Sequence, residues 1–98
     1  MSGDGMRIDN SVRVEAIRIA LEAAFMPDQL EIRDDSHRHA GHAGAKDGRG
    51  HFSVIIVSGA FAGMNAVARH RAIYAALGDL MTTDIHALAI KTQTPDET

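Results

Sequence analysis

Six histidines and no cysteine define the side-chain chemistry open to this chain of 98 residues. Four of the six fall in one stretch, SHRHAGHAGAKDGRGH, at His37, His39, His42 and His51. Neutral imidazole is a borderline ligand for zinc, iron, copper or nickel. With no thiolate in the chain, any metal chemistry must use His or carboxylate side chains. The spacing matches no closed zinc template, so on pattern alone the cluster reads first as a solvated polar loop. In an extended segment His37 and His39 point the same way, whereas His42 lies beyond Gly41.

The other chemistry-bearing residues are less concentrated. His70 falls in an apolar helical stripe, which favours a partly buried structural histidine, and its neighbours Arg69 and Arg71 diverge by about 100° to either side of it. Asp34 and Asp35 are adjacent on a strand and face opposite sides, so they form no acid/base pair. Gly59 and Gly63 precede no GKS or GKT and make no P-loop. No serine stands in a nucleophile elbow, and the expectation is a protein that is not an enzyme.

The elements that must position these residues follow from hydrophobic spacing. Val14, Ile17, Leu21, Ala24 and Phe25 keep helical period, with Asn10 or Ser11 as N-cap and Pro27 closing the segment. LEIRDD alternates as a half-covered strand, and FSVIIVS is a continuous apolar run suited to the centre of a small sheet. The histidine stretch between them is about 15 residues long, where a hairpin needs only about 2 to 5. GAFAG reads as a short turn, and a single helix is predicted from about Met64 to Met81 with the stripe Val67, His70, Ile73, Tyr74, Leu77 and Met81. HALAIKT forms the third strand. Residues 1–10 read as a flexible N-terminus with Met6 as an alternative start, 11–95 as one domain and 96–98 as a solvated tail.

The resulting fold is α+β, in the order α-β-β-α-α-β, with a three-stranded mixed sheet covered by helices. A helical crossover within one sheet joins parallel strands, so the third strand runs parallel to the second. Parallel strands start at the same end, which brings His86 beside His51 and the histidine segment. The net charge of −3 removes any whole-molecule drive toward nucleic acid. The apolar runs are shorter than the roughly 20 residues of a membrane helix, so a cytoplasmic protein without a membrane partner is expected.

LEIRDDSHRHAGH, HFSVIIVSGAFAG, ARHRAIYAALGDLM and IHALAIKTQTP, in this order, resemble the sequence blocks of BolA-like proteins. The resemblance implies a fold similar to class II KH domains. It further implies a non-enzymatic partner of monothiol glutaredoxins that shares a bridged 2Fe-2S cluster and acts in cluster trafficking and iron regulation. The glutaredoxin side supplies a Cys and a bound glutathione, and the isolated chain carries no cofactor. On this chain the resemblance maps the ligands onto His86 and His39, with His37 and His42 as substitutes in the same loop. Lacking Cys, the chain falls in the histidine-type subgroup. The alternative implied by the family is a DNA-binding regulator of transcription, morphology and stress response, using Arg69, Arg71 and Lys91 weakly against phosphates. Alone, the chain is expected to be a monomer or weak dimer. The KH clamp G-x-x-G is not present in its usual form, since GAFAG has one extra residue.

Overall fold

The computed structural model describes residues 10–36 and 50–98. Helix α1 spans Asn10–Phe25 and turns Ile17 and Leu21 into the core. Met26 ends it at φ 45°, its N–H donating to the Glu22 carbonyl at 3.0 Å, and Pro27 then prevents continuation. Strand β1 (Gln29–Asp34) pairs antiparallel with β2 (Gly50–Val57), and Leu30 and Ile32 lie opposite Ile56 and Val54. As the alternation predicts, Leu30 and Ile32 are half-buried and Glu31 and Arg33 exposed. Strand β3 (Ile85–Gln93) runs parallel to β2, giving the order β1-β2-β3 with the apolar strand central.

The predicted helix over 64–81 is in fact two. Helix α2 (Ala66–Leu77) starts at Asn65, whose side-chain oxygen accepts from the Ala68 N–H at 2.8 Å. It stops at Gly78, where φ is +54°, and the short helix α3 (Leu80–Thr83) follows in a new direction. The buried stripe is also rotated from the expected one. Ile73 and Leu77 are in the core and His70 is half-buried, but Val67 and Tyr74 face solvent.

One core serves the whole domain: Ile17 and Leu21 of α1, Phe52, Val54 and Ile56 of β2, Phe61, Ile73 and Leu77, and Ile85. It lies on one face of the sheet, so that among the described residues the opposite face of β2 and β3, with His51, Ser53, Ala87, Ala89 and Lys91, carries no helix. Buried Ser58 ties the far end together: its hydroxyl donates to the Phe25 carbonyl at 2.7 Å and accepts from the Ala60 N–H at 3.0 Å.

The acidic C-terminal residues, read from the sequence as a solvated tail, are exposed. Pro95–Glu97 form a 3-10 turn with a capping box at Thr94, and the Glu97 carboxylate accepts two hydrogen bonds, each 2.8 Å, from the Arg69 guanidinium. The turn is exposed yet anchored to α2, because a planar fork and a planar carboxylate meet in register.

Candidate functional site

The site is built by a break in strand geometry. Gly50 pairs with Ile85, but His51 pairs with Ala87, so His86 is an extra residue in β3 with no opposite number. The core-facing residues Ile85 and Leu88 are therefore three apart rather than two. A bulge of this kind places two successive side chains on one side of the strand, and both His86 and Ala87 are exposed. Ile85 turns into the core and the extra residue, His86, turns away from it, where its imidazole meets that of His51. The two rings lie 5.1 Å apart, centroid to centroid, tilted by 52°. His51 is 8% exposed, while His86 forms the outer wall.

A depression of about 250 Å³ runs along the open face beside His51, lined also by Asp35, Phe52, Ser53, Ala87, Leu88 and Ala89. Ser53 donates its hydroxyl proton to the Asp35 carboxylate at its floor. The ends of the histidine segment meet here as well: the Asp35 N–H donates to the His51 carbonyl at 2.7 Å, and the His51 N–H donates to Ser36 Oγ at 2.9 Å. Segment 37–49 therefore leaves and re-enters the fold at the imidazole pair. His37, His39 and His42 lie outside the described residues. Among the described residues no group of three or more ligating side chains is arranged to hold a metal, so the pair offers two donors.

Sequence reasoning brought His86 and His51 together but did not rank His51 among the site residues. The signal was its parity: Phe52 is a core residue, so the preceding side chain must face the other side, toward His86. Arg13 was missed altogether. It is 9% exposed, and its Nε donates to Asp84 Oδ2 at 3.0 Å, from the face of α1 that also carries Ile17 and Leu21. The Thr83 hydroxyl holds the Asp84 carboxyl below its ordinary range, with burial opposing it and the hydrogen bond and charge of Arg13 adding to it.

The three cations named as phosphate contacts are not brought together. Lys91 pairs with Ile55 on the open face, whereas Arg69 and Arg71 belong to α2 on the covered side. Arg69 is committed to Glu97, lies 5.9 Å above the Phe61 ring centre and donates from Nε to the Met64 carbonyl. That pairing, and then the Thr94 backbone N–H, lowers the Glu97 carboxyl from 4.5 to about 2. Among the described residues, no helix is long and apolar enough to cross a membrane.

Comparison with known proteins decides the family. The profile of the BolA-like protein family matches residues 21–97, from the middle of α1 to the final turn. The chain belongs to the BolA-like family. This BolA-like chain is 44% identical over 97 residues to "Protein BOLA1, chloroplastic" of Arabidopsis thaliana, covering 96% of its own length and 59% of the relative's. It is thus shorter than that relative by a substantial margin. It is 43% identical to the Escherichia coli protein named "DNA-binding transcriptional regulator BolA", covering 85% of this chain and 76% of that one. Among solved structures, the BolA domain of SufE1 from Arabidopsis thaliana superposes with a TM-score of 0.79 at 45% identity, covering 88% of this chain and 95% of that domain. The imidazole pair, the bulge and the split helix are therefore features of a BolA-like domain.

Proposed function

We propose that this BolA-like chain acts as a binding partner that completes a 2Fe-2S site together with a monothiol glutaredoxin, rather than as an enzyme. The observation that carries the reading is the contact of two imidazoles at the open end of the sheet, where segment 37–49 also begins and ends. Two nitrogen donors and no thiolate are half of what a two-iron cluster needs, and a second protein bearing Cys and glutathione would supply the other half. His86 is the first ligand in this reading. The second is His39 of the adjoining segment, with His37 and His42 as substitutes, and His51 is a further donor already beside His86. Imidazole ligation of one iron raises a cluster's potential relative to all-thiolate ligation, so the shared cluster would differ electronically from one held between two glutaredoxins.

The test is reconstitution of the cluster with a monothiol glutaredoxin, followed by visible circular dichroism for wild type, His86→Ala, His39→Ala and His51→Ala. Loss of His86 is expected to return the spectrum to that of the glutaredoxin alone, and loss of the true second ligand to alter it. Identical spectra for wild type and all three variants would refute the assignment.

The name of the Escherichia coli relative supports a second reading, contact with DNA. Several phosphate contacts would make affinity fall steeply between low and physiological salt, and a flat salt dependence removes this reading.

A further inference from the structure

The register of β3 against β2 slips at the first residues of the strand, so the geometry there depends on what fixes the backbone on either side of the slip. In this chain the head of β3 is held from outside the sheet. Asp84 immediately precedes β3, two residues before His86, and its backbone carbonyl accepts from the Gly50 N–H at 2.9 Å. Its carboxylate accepts from Arg13 Nε at 3.0 Å, across 71 residues of sequence, with side-chain exposures of 10% and 13%.

The connection does not stop at the ion pair. Arg13 Nη1 donates to Asn10 Oδ1 at 3.0 Å, Asn10 Nδ2 donates to Ser36 Oγ at 3.1 Å, and the same Ser36 oxygen accepts from the His51 backbone N–H at 2.9 Å. One chain of hydrogen bonds therefore runs from the head of β3 through the first turn of α1 to the exit of β1 and the entry of β2. Its two ends, Asp84 and His51, flank the imidazole pair.

We propose that Arg13, through Asp84 on one side and Asn10 and Ser36 on the other, is the positioning residue that sets His86 against His51. The guanidinium suits this role because two of its N–H groups, on different nitrogens, point at two acceptors on different elements. An ammonium carries its three N–H groups on a single nitrogen at the end of a flexible stem, so it lacks the fixed fork that spans two separated acceptors. The network touches no ligand itself, and it fixes the backbone from which both rings project. For the metal chemistry, this inference rests on the reading of His86 as a ligand; for the ring geometry it does not.

The test compares Arg13→Gln and Arg13→Lys with wild type and with Glu97→Gln, which removes an ion pair at the opposite end of the sheet. In the isolated protein, NMR ring-to-ring nuclear Overhauser contacts between His51 and His86 report the geometry. Both Arg13 variants are expected to lose these contacts, while Glu97→Gln keeps them even where it lowers the unfolding midpoint. In the reconstituted hybrid with glutaredoxin, the Arg13 variants should assemble about 10-fold less tightly, the scale on which outer residues orient ligands. If Arg13→Gln does not fold, Arg13→Lys, which keeps the charge, carries the test. Unchanged ring contacts in a folded Arg13 variant overturn the proposal. A wild-type protein that forms no hybrid but whose ring contacts depend on Arg13 overturns the proposed function and leaves the positioning role standing.

Discussion

Replacing Gly50 with alanine adds one methyl group where the histidine segment re-enters the sheet, and the surroundings fix what that methyl meets. A Cβ at this position lies 2.5 Å from Cε2 and Cζ of Phe52 and 3.1 Å from Ser36 Oγ. Ordinary contact begins at 3.4 Å, so the ring must retreat by roughly 1 Å, the kind of overpacking that costs about 1–3 kcal/mol. Phe52 is 2% exposed and surrounded by core residues, so the far edge of its ring has nowhere empty to go. Alanine also reduces the freedom of the unfolded chain, which offsets about 0.4–1 kcal/mol. The net expectation is about 1–2 kcal/mol of destabilisation, or a Tm lower by about 4–16 °C in a domain of this size. Urea and thermal unfolding followed by far-UV circular dichroism measure it, with the urea slope unchanged. Phe52→Leu removes the atoms that clash, so the double variant should lose at least about 1 kcal/mol less than the two single losses combined. A Gly50→Ala protein as stable as wild type, or strict additivity in the double variant, would show that the ring is not the obstacle.

Three further outcomes are expected. The carboxyl of Glu97 is held at about 2 instead of 4.5, so the stabilisation from its pairing with Arg69 is complete above the higher value and lost as pH falls toward the lower. Urea midpoints of wild type and Glu97→Gln should therefore differ near neutrality and converge in strong acid, and a constant gap contradicts the pairing. Ser58→Ala removes from a buried position the hydroxyl that serves both the half-buried Phe25 carbonyl and the Ala60 N–H, and should cost about 1–3 kcal/mol by urea unfolding. Asn65→Ala removes the cap of α2 and should cost about 0.5–2 kcal/mol, with Asn65→Asp recovering most of it.

The legible part of the fold was carried by local periodicity. Alternation at Leu30 and Ile32, the β-branched run through Val54, Ile55 and Ile56, and the three- and four-residue spacing of Val14, Ile17 and Leu21 each identify an element and its inner face. The rule that crossovers join parallel strands then placed His86 near His51, which is the centre of the site. Two readings failed where a single residue outweighed its neighbours. Gly78, at positive φ, divides what the apolar pattern presents as one helix, and of the predicted stripe Ile73 and Leu77 meet the core while Val67 and Tyr74 face solvent. The pairing that anchors the acidic end was not legible, because the partner of Glu97 is 28 residues away.

Composition and spacing by themselves determined that any metal chemistry would fall to imidazole or carboxylate, and that the chain makes a small α+β domain. Those properties are local, or depend on the chirality common to all L-polypeptides. The bulge at His86, the burial of Arg13 against Asp84 and the engagement of Arg69 by Glu97 were decided only by tertiary structure. Each depends on which distant group a side chain meets once the strands and helices have closed. A charged side chain at a core-facing position is tolerated only when such a partner is present, and hydrophobic period carries no information about where that partner lies.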